Sequence, residues 1–142
     1  MKIEKICLCS SRKFFDRLRS VEEELKELGY KVLLPSMNNI QDDFYFKDGR
    51  ETEFAKIHYD LIRNHFKKID ESDALLVCNF DKEGVSGYIG GSMLMEMTKA
   101  FDKGIPIFLT HPVPKIDYRA EILAMQSIVI NKLEEIKQYS GK

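Results

Sequence analysis

Apolar positions along this chain alternate between short compact runs and longer stretches with an apolar residue every three or four positions. Ile3 to Ser10 ends in the compact run Ile6-Cys7-Leu8-Cys9 and predicts a first strand. From Phe14 to Leu28 the positions Phe14, Leu18, Val21, Leu25 and Leu28 recur at helical spacing, and Gly29 ends that helix. Tyr30 to Leu34 predicts a second strand, closed by Pro35. Ser36 to Arg50 is polar and predicts a long loop, a length that often carries function. A second helix is expected from about Thr52 to Ile69, with Phe54, Ile57, Leu61, Ile62, Phe66 and Ile69 toward the core. Asp73 to Asn79 predicts strand three, Gly91 to Asp102 a helix followed by Gly104, and Ile105 to Leu109 strand four. A short helix from Tyr118 to Met125, a fifth strand from Ser127 to Ile130 and a final helix capped by Asn131 and running through Ile136 complete the pattern.

Strands and helices alternate five times, with no repeat, linker or low-complexity segment. The third and fourth strands are continuous apolar runs, as strands covered on both faces are. The fold class expected is α/β: one domain over residues 1–142, a doubly wound five-stranded parallel sheet with helices on both faces, Rossmann- or flavodoxin-like. Ligands of such sheets bind at the carboxyl ends of the strands, where strand order reverses. That rule brings together Ser10-Ser11-Arg12, the loop from Ser36, and Asp81 to Glu96.

The bulk numbers narrow the function. The 142 residues suffice for a sizeable core, and 44% are hydrophobic. Lys and Arg number 22 and Asp and Glu 23, a net charge of -1, which argues against a nucleic-acid polymer as partner but permits a small anion held locally. Met1-Lys2-Ile3-Glu4-Lys5 leads into no signal-like apolar segment, and no run approaches the ~20 apolar residues of a membrane span. With three cysteines, an odd number, a cytoplasmic protein with free thiols is expected. Cys7 and Cys9 share one strand face, but completing a metal set would require Cys78 and a paired histidine motif that is missing. Buried thiols and no metal or cofactor are expected.

Chemistry concentrates after strand three. Gly87-Tyr88-Ile89-Gly90-Gly91-Ser92 joins a strand to a helix, where bare backbone and the helix start accept an anion. Glu96 follows. It is open to two readings, a solvated stripe with Ser92, Lys99 and Lys103, or a functional carboxylate among Met93, Leu94, Met95 and Met97. A capping box with Ser92 as N-cap fails, because the reciprocal position holds Met95. Ser10, Ser11 and Arg12 are either a cap cluster with a surface arginine or an anion cradle. Asp81 and Glu83, at the pocket end of strand three, are candidates for a second acid, with Asp42 and Asp43 competing from the long loop. Asp73, at the other end, is read as structural. Tyr45 and Tyr88 either stack on a base or cover the rim. His58 and His65, seven apart, are read as surface or boundary residues, and His111 as part of a rigid loop that could line the pocket.

The Ser-Ser-Arg turn, the run Ser72-Asp73-Ala74-Leu75-Leu76-Val77, the Gly-Gly-Ser turn with Glu96, and Ala100-Phe101-Asp102-Lys103-Gly104-Ile105-Pro106-Ile107 together resemble the nucleoside 2-deoxyribosyltransferase-like superfamily, which includes nucleotide N-glycosidases. The lonely-guy type phosphoribohydrolases are more distantly similar. The resemblance implies hydrolysis or transfer at the N-glycosidic bond of a nucleoside or nucleoside 5′-monophosphate, with Glu96 as nucleophile, kept ionised by a helix N-terminus, and Asp81 as acid. Ser10, Ser11, Arg12, Tyr88, Gly90, Gly91 and Ser92 would bind substrate, and a homodimer or higher homo-oligomer is implied. In the transferases an aspartate stands six residues before the glutamate; here Gly90 does, and Asp81 or Glu83 would have to substitute. A non-catalytic nucleotide-binding or sensor module on the same fold is the alternative, and a flavin protein a third reading.

Overall fold

The computed structural model describes residues 2–35 and 60–140. The predicted loop from Ser36 to Arg50, with Asp42, Asp43 and Tyr45, and the early part of the second predicted helix, with Phe54, Ile57 and His58, lie outside them.

Five parallel strands form one sheet: β1 Lys5–Ser10, β2 Lys31–Leu33, β3 Ala74–Cys78, β4 Ile107–Leu109 and β5 Ile128–Val129, in the order β2-β1-β3-β4-β5. A 3-10 turn, Arg12–Phe14, leads into α1, Phe15–Glu27. The remaining helices are α2 Leu61–Asp70, α3 Gly91–Lys103 and α4 Arg119–Ala124, and 3-10 turns run over Leu133–Tyr139. The expected α/β class and doubly wound parallel sheet are therefore present. The last segment departs from expectation. It is 3-10 rather than α, and its N-cap is Lys132, whose N–H donates to the Glu135 carboxylate three residues on at 2.7 Å; Asn131 does not serve as the cap.

The two-residue period within the apolar strands divides the core into two layers. Ile6, Leu8, Ala74, Leu76, Cys78 and Phe108 meet Leu18 and Leu25 of α1 and the C-terminal 3-10 turns. Cys7, Cys9, Leu75, Val77, Ile107 and Leu109 meet Ile69 of α2, Met93, Met97 and Ala100 of α3, and Ile122 of α4. Cys7 and Cys9 thus share a face, as their spacing requires, while Cys78 belongs to the opposite layer and cannot join them. All three are buried and free of disulfides. Among the described residues no helix is long and apolar enough to cross a membrane.

Two polar devices fix the sheet ends. Asp73 Oδ2 accepts from the N–H groups of Glu4 and Lys5 at 2.9 and 3.0 Å, tying the start of β3 to β1. At the other end Asn79 is fully buried. Its Nδ2 donates to the carbonyls of Gly87, His111 and Pro112 at 3.2, 3.0 and 3.2 Å, and its Oδ1 accepts from His111 N–H at 3.0 Å. One amide thereby joins the loops that follow β3 and β4.

Strand order reverses between β1 and β3, since β2 lies outside β1 and β4 outside β3. Their carboxyl ends, Ser10 and Cys78, are register partners.

Candidate active site

A cavity of about 230 Å³ opens at this switch point. Its polar lining is Ser10, Ser11 and Arg12 from the end of β1, Lys82, Tyr88 and Gly90 from the loop after β3, Gly91, Ser92 and Glu96 from α3, and His65 from α2. Pro35, Leu61, Ile62, Phe66 and Met95 supply apolar wall.

Glu96 is the only carboxylate on the lining among the described residues. Its helix starts at Gly90, an extended N-cap whose carbonyl accepts from Leu94 N–H at 2.9 Å. Ser92 is therefore inside the helix, and Glu96 is its sixth residue, in the second turn and past the first turn over which the terminal dipole acts. The positive charge that faces Glu96 comes instead from a side chain. His65 Nδ1 lies 2.9 Å from Glu96 Oε1, with side chains only 7% and 14% exposed. The far ring nitrogen, Nε2, lies 3.2 Å from the carbonyl oxygen of Leu8 and 3.4 Å from Cys7 Sγ. Both nitrogens face an oxygen acceptor, so both carry protons and the ring is an imidazolium. Burial by itself would lower the His65 pKa, but the Cys7 sulfur and the Glu96 carboxylate outweigh it and push it up to about 10. On the other side of Glu96 is the Cys9 thiol, held well above its ordinary pKa by burial first and then by the charge of Glu96 and a hydrogen bond to it. Cys9 is a neutral donor there, not a thiolate.

The bases of α2 and α3 are fastened so that this pair meets. Lys99 pairs with Asp70 at 3.2 Å, and Lys103 Nζ donates to the carbonyls of Ile69 and Ser72 at 3.3 and 3.1 Å, and to that of Asp70. Glu96, Lys99 and Lys103 thus make contacts toward α2; Glu96 is not the solvated carboxylate of the first reading, while Ser92 and Lys103 of the same stripe stay exposed.

Around the mouth, Ser10 Oγ donates to the Ser11 carbonyl and Lys82 Nζ donates to Ser11 Oγ, both at 2.9 Å. The Lys82 ammonium also lies 4.9 Å from the centre of the Tyr88 ring. Lys82 is held by a two-residue hairpin, Lys82 pairing with Val85 while Glu83 and Gly84 take φ of +53° and +75°. Tyr88 folds over Gly90: a Cβ at position 90 would come 3.2 Å from the ring. The loop between them is braced at Gly87, whose N–H donates to Asp81 Oδ1 at 2.9 Å.

Of the residues singled out from sequence, the structure brings together Ser10, Ser11, Arg12, Tyr88, Gly90, Gly91, Ser92 and Glu96. Asp81 is exposed, off the lining, and occupied with Gly87; Glu83 is exposed at the hairpin tip. His111 is also off the lining, bonded through Nδ1 to Thr110 Oγ1 at 2.9 Å and packed edge-on against Phe80. The correction that matters most is His65, buried and paired rather than on the surface. Its signal was present in the chain: Leu61, His65 and Ile69 fall four apart on the buried stripe of α2. Lys82 was missed because Glu-Gly is a weaker hairpin signal than Asn-Gly or Asp-Gly.

No family model and no curated protein matches the sequence. Among solved structures, a 2-deoxyribosyltransferase from the psychrotolerant bacterium Bacillus psychrosaccharolyticus aligns with a TM-score of 0.56 at 19% identity, over 96% of this chain and 93% of that one. The chain has that fold along nearly its whole length.

Proposed function

We propose that this protein cleaves or exchanges the N-glycosidic bond of a nucleoside or nucleoside 5′-monophosphate, with Glu96 as nucleophile. The observation that carries the reading is the carboxylate itself: the only one on the lining among the described residues, held 2.9 Å from His65 Nδ1, at a cavity on the switch point of the sheet. A carboxylate attacks the anomeric carbon as an anion, and His65 Nδ1, 2.9 Å away, is the cationic partner beside it. Attack by Glu96 expels the base and leaves a glycosyl ester, which water or a second base then resolves. Arg12 and Lys82, with the serine hydroxyls and the backbone at Gly91 and Ser92, form a cationic rim suited to a 5′-phosphate. Likeness of fold to a 2-deoxyribosyltransferase supports nucleoside glycosyl transfer as the chemical class. We further propose a homo-oligomer working without metal or cofactor.

The test is release of free base from a panel of nucleosides and nucleotides, separated by chromatography. The expected outcome is release by the wild type and a loss on the order of 10⁴- to 10⁶-fold in Glu96→Gln, the range found when members of a nucleophilic catalytic unit are removed. Equal release by both proteins would sink the reading.

One observation favours a second reading, a nucleotide-binding module without catalysis. No second carboxylate reaches the lining among the described residues, Asp81 being engaged elsewhere and position 90 being glycine. A nucleotide that binds by calorimetry yet stays intact for hours would select it.

A further inference from the structure

Resting on Glu96 as the nucleophile, we propose that His65 acts in the second half of the reaction, as the positioning residue that makes the Glu96 carboxylate a good leaving group. Displacement at the anomeric carbon is in line, so the base departs from, and water arrives at, the face opposite Glu96. His65 is bonded to Glu96 on the nucleophile's own side, and its other nitrogen is turned into the protein toward Leu8 and Cys7. It therefore reaches neither the departing base nor the incoming water, and it is no general acid or base for either.

What remains is its hydrogen bond to the carboxylate. In the first step a Glu96 oxygen bonds to the anomeric carbon, the carbon–nitrogen bond breaks with its electron pair going to the base, and the base takes a proton from solvent on its own face. The resulting ester is neutral, and the imidazolium loses its counter-charge. In the second step water oxygen bonds to the anomeric carbon, its proton passes to solvent, and the ester carbon–oxygen bond breaks with its electron pair returning to Glu96. Negative charge reappears on the oxygens that face His65 Nδ1–H, so that bond strengthens along the second step. In the first step the same bond weakens as the carboxylate is consumed, so His65 restrains attack and promotes release. The groups around the ring from the elements packed on it are Glu96 from α3 and the Cys7 thiol from β1, with Cys9 beyond Glu96.

The test is rapid-quench kinetics of wild type and His65→Gln with whichever common ribo- or deoxyribonucleoside 5′-monophosphate the wild type cleaves fastest. His65→Gln is expected to release a burst of base stoichiometric with enzyme, then turn over about 10- to 100-fold more slowly, the effect of one charge-assisted hydrogen bond. Intact-mass spectra of the quenched variant should show the glycosyl adduct accumulating. His65→Lys, which keeps a cationic donor, should recover part of the steady rate. Burst and steady phases that fall together, with no more adduct than in the wild type, would overturn the proposal and leave the N-glycosidase reading standing. A second arm needs no turnover: ¹⁵N NMR of the His65 ring should show both nitrogens protonated at pH 8 in the wild type and not in Glu96→Gln. A neutral ring at that pH in the wild type would overturn it too. A charged ring with no base released from any nucleotide would overturn the reading and the proposal together, leaving only the ion pair.

Discussion

His65 and Glu96 form an ion pair that the fold buries on the lining of the switch-point cavity, and such a pair leaves a mark on stability. The His65 pKa is about 10 in the folded protein, against about 6.5 in an unfolded chain. A raised pKa means that the folded state keeps a proton that the unfolded state gives up. The stabilisation is complete below about pH 6.5 and is lost as the pH rises toward 10. The buried thiols act in the same direction: burial raises Cys9 and, to about 12, Cys78, so they stay protonated when unfolded thiols ionise. Glu96→Gln keeps the thiols and removes the counter-charge. Denaturant unfolding from pH 6 to 10 is expected to show a steeper loss of stability in the wild type than in Glu96→Gln. Parallel slopes would mean that the ring is not held charged.

At the scale of elements, the loop from Asn79 to Gly90 supplies one side of the cavity, through Lys82, Tyr88 and Gly90. It is pinned at one point by the Asn79 amide and at another by Gly87. Gly87 is buried with φ +69°, and a Cβ there would come 2.2 Å from the backbone carbonyl oxygen of Pro112. Gly87→Ala is expected to cost about 1–3 kcal/mol in denaturant unfolding, because the strain and the backbone clash have no side chain to yield. An unchanged midpoint would show the loop to be slack. This loop also marks how far sequence carries. Asp73 was legible as structural because a strand's N-terminal end lies away from the ligand side. Ser10 to Arg12 and Gly90 to Glu96 were legible because the switch-point rule depends only on strand order. His65 was not, because pairing across two helices depends on how they are turned against each other, which helical spacing alone does not fix. Asp81 shows a related limit: it follows β3 as expected, but its carboxylate is bonded to Gly87 N–H and lies off the lining.

For the whole molecule, the order β2-β1-β3-β4-β5 gathers, among the described residues, three serines, the cations Arg12, Lys82 and His65, and the Glu96 carboxylate from four separate stretches into one opening. A ligand that binds only the assembled opening stabilises the fold by mass action, by about 2.7 kcal/mol at a hundredfold excess over Kd. Thermal melts are expected to rise with nucleoside 5′-monophosphates more than with the matching nucleosides. Lys82→Met should narrow that difference, since Lys82 sits at the rim beside Ser11. Equal shifts for nucleosides and monophosphates would contradict the phosphate rim while leaving the nucleophile untouched.

The central claim, that Glu96 bonds to the sugar, is tested most directly by peptide mass spectrometry of enzyme quenched during turnover. A sugar or sugar-phosphate adduct is expected on the peptide that contains Glu96, absent from Glu96→Gln. An adduct on any other residue, or base release that persists in Glu96→Gln, would contradict it.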